Sequence, residues 1–351
     1  MEKNNLTNIF LFIITLFITG IILRLAQPVI ISILISLLLA YVMDPPVALL
    51  KKMGAPLWLS VLITAFIFLG IFTVFGIIIY SSLLDFARKF PVYQMKLTAM
   101  LRETISKIQI YSDEVFETDL LDELKHIPIT SIILSMVGSI INILLKFLVI
   151  FVYALLILYG KYRITSKIMR SFPKKKGRKI AIVLKHIDEG LRRYLGVKTL
   201  MSLLIGFCTT IILFFFNVEF AIILGCITFL LNFIPTLGSA IAVMFPPLIA
   251  LIQYGNYSRP LWILFTLIIF QNLIGNLLEP RIVGHRLKVT LTVIFFALLF
   301  WGWLWGAPGV LLAIPMTTSI KIVMGNIPAL QSYSRMMEKT PKKTKSSPNS
   351  V

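Results

Sequence analysis

Two short stretches decide the fold: LNFIPTLGS at residues 231–239 and GNLLEPRIVGHRLK at residues 275–288. In both, helix-breaking or polar residues stand beside long apolar runs. Lipid offers no hydrogen bonds, so such residues are costly in a membrane unless they line a site or a cavity. The region from Leu231 to Lys288 therefore indicates a membrane protein with its functional site in this part of the chain.

The composition of the whole chain supports a membrane location. Of its 351 residues, 58% are hydrophobic and 14% are charged, and the mean hydropathy is +0.92. Soluble domains are about 45–50% apolar and about 25% charged. Several apolar runs approach or exceed the roughly 18 residues that a spanning helix needs. The sequence predicts an all-α polytopic membrane protein with about eight transmembrane or hairpin helices.

Basic residues give the chain a net charge of +19, and they cluster between the apolar runs. Segment 160–193 carries twelve Lys or Arg against Asp188 and Glu189. Short basic loops stay in the cytoplasm, so this charge indicates topology, with membrane lipids as partners, and does not indicate nucleic-acid binding. The patch at 174–179 suits anionic lipid headgroups. Only two cysteines occur, Cys208 and Cys226, so no disulfide framework, metal site or cofactor is predicted.

The alternation of apolar and charged segments predicts the organisation of the chain, with both termini in the cytoplasm. The predicted parts are N-terminal membrane helices at 1–80, an extracytoplasmic amphipathic helical arm at 81–131, a transmembrane helix at 132–159, a basic cytoplasmic loop at 160–193, a C-terminal membrane transport region with interrupted helices at 194–328, and a disordered basic tail at 329–351.

The predicted arm has the periodicity of an amphipathic helix. Its apolar residues recur at spacings of three and four: Leu97, Met100, Leu101, Ile105 and Ile108. An exposed apolar stripe of this kind needs a cover. The sequence leaves three covers open, namely the membrane domain, a second subunit and the lipid surface.

Paired short apolar segments around Gly or Pro breaks recur at 9–43, 219–254 and 290–325. At 9–43 the pieces are too short for a bilayer and predict short or re-entrant helices, ended by Asp44, Pro45 and Pro46; two ordinary tilted spans remain the alternative. Interrupted helices in corresponding positions of two halves are typical of transporter binding sites. The halves are therefore candidates for an inverted repeat.

Polar residues near the second quoted stretch predict a pathway for a solute or ion. Asn272, Asn276 and Glu279 are spaced by four and three, which predicts one face of an apolar helix. Carboxamides can replace the hydration of a polar solute, and the carboxylate can bind a proton. The structural alternative is that the asparagines bridge packed helices and that Glu279 pairs with Arg281 at the membrane boundary.

The first quoted stretch offers further polar groups around a break. Asn232, Thr236 and Ser239 flank Pro235 and Gly238. Proline frees a backbone carbonyl one turn earlier, and unwound backbone can bind a cation or a hydroxylated solute. A secondary candidate is Lys146, which interrupts the apolar segment 132–159; the alternative is that its long side chain reaches the membrane boundary.

Four motifs resemble the autoinducer-2 exporter family of permeases: YLGVKTLMSLLIG from Tyr194, LLNFIPTLGS from Leu230, GNLLEPRIVGHRLKV from Gly275 and WGAPGVLLAIP from Trp305. The resemblance extends from residue 1 to about 330. It implies a multi-pass transporter of the bacterial inner membrane that forms homo-oligomers, with a pentamer as one form. It also implies that some members export the signalling furanone and that others exchange sodium or lithium for protons. The family motif positions are Pro235, Gly238, Gly275, Asn276, Pro280, Gly284 and Pro315.

Other functional classes lack their motifs in this sequence. No GxxxxGK[ST] phosphate loop and no HExxH pair occurs, so neither an ATP-driven pump nor a zinc protease is predicted. The expected function is gradient-coupled transport of a small polar solute, with Glu279 as the first titrating candidate. Exchange of Na⁺ or Li⁺ for protons and a non-transporting membrane scaffold or assembly factor are the alternatives.

Overall fold

A computed structural model describes residues 2–109, 129–234, 237–283 and 289–337, and its regular elements are helices. In chain order these are α1 Glu2–Leu25, α2 Gln27–Lys52, α3 Leu57–Gln109, α4 Ile129–Ser171, α5 Lys174–Phe215, α6 Ala221–Leu231, α7 Leu237–Tyr254, α8 Ser258–Gln271, a π-helical segment Asn272–Leu278, α9 Glu279–Val283, α10 Leu291–Gly325, a 3₁₀ turn Pro328–Leu330 and α11 Gln331–Met336.

Seven helical stretches in the described part of the chain are long and apolar enough to cross a membrane. They are Gln27–Lys52, Leu57–Met100, Leu144–Ile164, Lys174–Phe215, Leu237–Tyr254, Ser258–Leu278 and Thr292–Gly325. The predicted all-α polytopic class is therefore confirmed.

The N-terminal helices are longer than the short pieces predicted at 9–43. Helix α1 has 24 residues and α2 has 26, about 36 and 39 Å. Helix α2 is a candidate span, as the alternative of two ordinary tilted spans requires, whereas the apolar part of α1, Ile13–Leu25, is shorter. The predicted stop at 44–46 is wrong, because α2 continues through Pro45 and Pro46 to Lys52. Proline's fixed φ is compatible with a helix, and the burial of the apolar side chains Met43 and Val47 offsets the lost backbone hydrogen bonds.

The arm predicted at 81–131 begins inside a helix. Helix α3 runs from Leu57 through Pro91 to Gln109, so no boundary falls near residue 80. Leu97 and Met100 of the predicted stripe are half-buried. The side chains of Leu101, Ile105 and Ile108, and all of residues 110–128, lie outside the described residues.

The loop predicted at 160–193 is also helical. Helix α4 extends to Ser171 and α5 begins at Lys174, so only a short turn separates them. The basic composition suggested a loop, but Lys and Arg are good helix formers and the only proline in the segment is Pro173, in the turn. A basic helical hairpin therefore replaces the predicted loop.

Packing divides the chain into two compact units. The first contains residues 1–35, 160–194 and 283–351, and the second contains residues 36–159 and 195–282. Each unit holds one of the interrupted segments from the second half of the chain. That the two halves form an inverted repeat stays a prediction.

In the first unit, α10 folds back on itself at Gly306, where φ is 64° and ψ is −146°. The Trp301 indole donates a hydrogen bond to the Thr317 hydroxyl at 3.3 Å, and Ala297 packs with Ala313. The predicted break between 305 and 310 is confirmed.

Part of the predicted tail of the first unit belongs to the fold. Residues 331–336 form α11, and the Ser334 hydroxyl donates to the Lys321 carbonyl at 3.1 Å. The disordered tail predicted from residue 329 is therefore wrong up to residue 337, and residues 338–351 lie outside the described part.

In the second unit, α6 ends at Leu231 and α7 begins at Leu237, which confirms the predicted break. Pro235 and Thr236 lie outside the described residues. Helix α6 packs closely on α5 through two glycines, since a Cβ on Gly206 would lie 2.8 Å from the Gly225 carbonyl oxygen. An apolar cluster that includes Leu213, Leu224 and Ala250 holds α5, α6 and α7 together.

Candidate functional site

The candidate site lies along one face of α5 in the second unit. Lys198, Ser202, Ile205 and Thr209 are spaced by four, three and four, so they project to the same side of the helix. Their exposed fractions are 6%, 0%, 3% and 4%. An apolar helix therefore carries a buried polar face.

At the N-terminal end of this face, Lys198 forms an ion pair with Glu279, the first residue of α9. The Lys198 Nζ atom lies 2.9 Å from Oε1 and 3.1 Å from Oε2 of Glu279. The exposed fractions of the two side chains are 7% and 18%. Charges this far from water are expensive unless they are paired, so each charge depends on the other.

About one turn further along α5, one hydroxyl and two carboxamide groups form hydrogen bonds that connect α5 with the ends of α6 and α8. The Asn232 Nδ2 atom donates to the Ser202 hydroxyl at 2.9 Å, and Gln271 Nε2 donates to Asn232 Oδ1 at 3.4 Å. Asn232, just after α6, is only 3% exposed. We name Lys198, Ser202, Asn232, Gln271 and Glu279 the polar seam.

Between Gln271 and Glu279 the chain forms a π-helical segment, Asn272–Leu278. The Glu279 N–H donates to the Ile274 carbonyl, five residues back. π-Helical turns are rare in proteins as a whole, but those that occur are often found at functional sites. The extra residue in the turn redirects the side chains. Here the segment joins two members of the seam.

Gly275 lies at the centre of the π-helical segment, where space is limited. A Cβ at this position would lie 3.0 Å from Gln271 Nε2 and 4.0 Å from Ile205 Cδ1. Glycine thus lets the segment approach both the seam and α5. A larger side chain would displace the Gln271 carboxamide.

A small cavity lies next to the seam, at the level of Ile205 to Thr209 on α5. Its volume is about 10 Å³, and the polar residues in its lining include Thr209, Thr228 and Gln271. This is about the space of one water molecule. Counted along α5, the cavity is 7 to 11 residues from Lys198, or about 10–16 Å.

The matches to known proteins agree with this architecture. The model of the AI-2E family transporter matches residues 10–329. The chain belongs to the AI-2E transporter family. A protein of Borreliella burgdorferi, named as an inferred transport protein, is 28% identical over 312 residues, 89% of this chain and 85% of that protein. The AI-2 transport protein TqsA of Escherichia coli K12 is 25% identical over 315 residues, 90% of each chain.

Membership of the AI-2E family makes this chain a multi-pass membrane transporter or permease. The polar seam lies inside the matched residues. Of its five members, Asn232 and Glu279 were candidates from the sequence. The other three, Lys198, Ser202 and Gln271, were missed. Lys198 had a visible signal, since it is a lone cation at the start of the apolar run within YLGVKTLMSLLIG.

The structure separates residues predicted to share one face. Glu279 turns inward to Lys198, whereas Asn272 and Asn276 are exposed. The Asn276 Nδ2 atom donates to Asn272 Oδ1 at 2.6 Å, and Asn272 Nδ2 donates to the Ile268 carbonyl at 2.9 Å. Asn272 and Asn276 therefore share a face, as predicted, whereas Glu279 departs from it, because the π-helical segment changes the direction of the side chains.

The remaining candidates differ in their surroundings. Gly238 is buried, and a Cβ there would overlap the Leu231 carbonyl, so glycine is needed for α7 to begin against the end of α6. Ser239 is half-buried. Arg281 is exposed, and Glu279 pairs with Lys198 instead, within the described residues. Lys146 is exposed on α4. The side chain of Pro280, like Pro235 and Thr236, lies outside the described part.

A second charged cluster lies at the other end of α5. Glu219, in the turn between α5 and α6, accepts a hydrogen bond from the Tyr93 hydroxyl at 3.1 Å and pairs with Lys89 at 2.9 Å. Its backbone N–H donates to Gln253 Oε1 at 2.9 Å. Phe220 beside it has a φ of 61°, unusual for a bulky residue, and packs against Tyr93 at 6.1 Å between ring centroids. We name Lys89, Tyr93, Glu219 and Gln253 the Glu219 corner.

Proposed function

We propose that this AI-2E family chain is a secondary transporter that moves a small polar solute along the polar seam. The observation that carries the proposal is that two groups of hydrogen-bonded polar side chains lie next to one another along α5: the Lys198–Glu279 pair, and Ser202 with Asn232 and Gln271. Hydrogen bonds between carboxamides and hydroxyls also hold packed membrane helices together, but ionisable residues buried in membrane segments mark substrate and ion pathways. A solute can exchange hydrogen bonds with these same groups.

Transport in this proposal requires the helices around the seam to separate. The cavity beside Thr209 and Thr228 has room for about one water, so a larger solute fits there only if the surrounding helices move apart. The break after α6 and the π-helical segment Asn272–Leu278 are the places where the backbone can change shape at the smallest cost. Alternating access about these two points follows from the proposal.

The chemistry of the seam favours a small hydroxylated or carbonyl-bearing solute. Ser202, Asn232 and Gln271 offer both donors and acceptors, and the Lys198–Glu279 pair offers both charges. The name of TqsA states AI-2 transport, which makes autoinducer-2 the first probe to use. We also propose a bacterial inner membrane as the location, a homo-oligomer as the assembly, and both termini in the cytoplasm, the last because of the basic segments between the apolar runs.

Exchange of Na⁺ or Li⁺ for a proton is the second candidate, and the Lys198–Glu279 pair favours it. A monovalent cation that binds the Glu279 carboxylate takes the place of the Lys198 ammonium. Lys198 then gives up one proton, so one positive charge replaces another. The proton leaves to the side from which the cation came, and charge in the buried site stays balanced. After the site opens to the other side, the cation is released there and Lys198 takes up a proton from that side, which completes the exchange.

Reconstitution of the full chain into liposomes tests both candidates. Labelled autoinducer-2 is added in one experiment, and Na⁺ or Li⁺ with a pH-sensitive dye in the other. For a solute carrier, N232A should lower the initial rate of autoinducer-2 flux at least tenfold, since it removes the link between Ser202 and Gln271. The matched control is N256A, at an exposed asparagine in the turn before α8, which should leave flux unchanged.

The outcomes separate the functional classes. A dye response to Na⁺ or Li⁺ that E279Q abolishes would favour the antiporter. Autoinducer-2 flux that persists in N232A and E279Q would contradict the seam as the pathway. No flux of either probe in protein that is folded and oriented would favour a scaffold.

A further inference from the structure

The basic hairpin formed by the end of α4 and the start of α5 is not used in the proposed transport mechanism. Its turn is tight, since a Cβ on Gly177 would lie 3.4 Å from the carbonyl oxygens of both Ile168 and Phe172. Gly177 is buried, whereas nearly every residue around it is exposed. The hairpin is thus a defined structure with an open surface.

The tip of this hairpin, residues 167–179, carries seven exposed cations: Lys167, Arg170, Lys174, Lys175, Lys176, Arg178 and Lys179. The sequence contains no carboxylate from residue 162 to 187. Of the two acids that follow, Asp188 is already 2.8 Å from Lys161 and 3.5 Å from Arg192. The positive charge of the tip is therefore not neutralised by the hairpin's own carboxylates.

Apolar side chains are exposed among these cations. Ile164, Met169 and Phe172 have exposed fractions of 47%, 44% and 46%. Cations mixed with exposed apolar groups are typical of segments that lie at a membrane surface, where the apolar groups enter the interface and the cations meet headgroups. A surface that bound only nucleic acid would not need the apolar groups.

The position of the tip along α4 also fits the membrane surface. The apolar stretch Leu144–Ile164 is a candidate span, and Lys167 and Arg170 follow its end by three and six residues. At 1.5 Å per residue Lys167 lies about 4.5 Å further along the helix axis, within the headgroup layer, and Arg170 lies about 9 Å further, at its outer edge, from which a long side chain can reach back to headgroups. The headgroup layer on each side of a bilayer is about 5–8 Å thick.

We propose that residues 167–179 bind the headgroups of anionic phospholipids in the membrane that holds the chain. The seven cations supply the attraction to phosphate, and the exposed Ile164 and Met169, nearest to the end of the span, enter the interface. The lipid is recognised by its negative charge, so phosphatidylglycerol is preferred to zwitterionic phosphatidylcholine. This site is separate from the polar seam and does not depend on which solute is carried.

Lipid retention by the purified full chain tests the proposal. The protein, immobilised in neutral detergent, is mixed with equal amounts of phosphatidylglycerol and phosphatidylcholine of the same chain length, and the retained lipids are counted by mass spectrometry. We expect a preference for phosphatidylglycerol that falls at high salt. K175Q/K176Q should reduce that preference by roughly fivefold per lysine, because each cation near an anionic surface contributes a comparable attraction. K175R/K176R retains both charges and should keep the preference.

A second lysine pair serves as the location control. Lys51 and Lys52 are exposed at the end of α2, outside the hairpin, and K51Q/K52Q removes the same charge. The preference should fall less in this variant than in K175Q/K176Q, because Lys51 and Lys52 end a candidate span with no other Lys or Arg from residue 25 to 87. Equal retention of the two lipids by the unaltered chain, or equal loss in K51Q/K52Q and K175Q/K176Q, would overturn the proposal. Capture of nucleic acid or acidic protein by the hairpin, without any lipid preference, would overturn it as well.

Discussion

Two ion pairs, one near each end of the apolar part of α5, have the same chemistry and nearly the same geometry. Lys198 and Glu279 approach to 2.9 Å, and Lys89 and Glu219 also approach to 2.9 Å. Their surroundings differ, since the exposed fractions are 7% and 18% for the first pair and 51% and 36% for the second. Distance alone therefore does not reveal what an ion pair contributes.

The difference in burial assigns the two pairs different roles. At the Glu219 corner, water screens the charges, and the pair contributes little beyond the hydrogen bond from Tyr93. In the polar seam, desolvation is already complete for Lys198, so removal of one partner leaves a charge without compensation. Under the proposed function, a solute or cation that exchanges with the Lys198–Glu279 pair therefore changes the free energy more than one that meets Lys89 and Glu219.

The largest expected effect tests the buried pair. K198M leaves the Glu279 carboxylate uncompensated and should lower the free energy of unfolding by about 3–5 kcal/mol, measured by denaturant titration in mixed micelles. The double variant K198M/E279Q should recover most of that loss, because no charge then remains in the seam. Losses that simply add in the double variant would contradict a buried pair.

The next effect concerns the carboxamide link. N232A leaves Ser202 and Gln271 without their shared partner and should cost about 1–3 kcal/mol in the same titration. N256A, at the exposed turn, should change the free energy of unfolding by less than about 0.5 kcal/mol. A similar cost for both asparagines would show that Asn232 is not part of a buried network.

A smaller effect separates the hydrogen bond from the ion pair at the Glu219 corner. Y93F keeps the ring against Phe86 and Phe220 but removes the donor to Glu219. The expected loss is about 1 kcal/mol, typical of one hydrogen bond. Thermal unfolding in detergent, monitored by tryptophan fluorescence, measures this loss of stability. An unchanged unfolding midpoint in Y93F would refute the hydrogen bond from Tyr93 to Glu219.

The smallest effect is expected for the exposed ion pair. K89Q should lower the free energy of unfolding by no more than about 0.5 kcal/mol, and high salt should remove the difference. A loss as large as that of K198M would break the distinction between the two ends. Unfolding titrations of both variants, run side by side at low and high salt, decide this point.

The sequence predicted the helix breaks better than the contacts. The breaks at Gly306 and around Pro235 were predictable, because the backbone freedom of glycine and the ring of proline act at the residue itself. The basic hairpin was missed because charge predicts topology but says little about helicity, for which Lys and Arg are well suited. Pro45 and Pro46 failed as a stop signal because packing in the fold outweighed their local cost.

Only part of the polar seam was predictable, because a local sequence pattern does not report contacts between distant residues. Asn232 and Glu279 were visible as polar residues in apolar runs, whereas the Lys198–Glu279 pair joins residues 81 positions apart. No local pattern reports a partner at that separation. The π-helical segment Asn272–Leu278 also had no signal in a spacing argument that assumes the regular α-helical turn.

Two native cysteines allow a direct test of the seam as the transport pathway. Cys208 lines the cavity beside the seam, whereas Cys226 lies on α6 outside that lining. In proteoliposomes of C226S and of C208S, each with one cysteine, the rate of reaction with a membrane-impermeant thiol reagent is measured with and without autoinducer-2. The account predicts that Cys208 reacts, that autoinducer-2 slows its reaction, and that Cys226 stays unreactive. Equal reactivity of the two thiols, or an unreactive Cys208 in protein that transports, would contradict it.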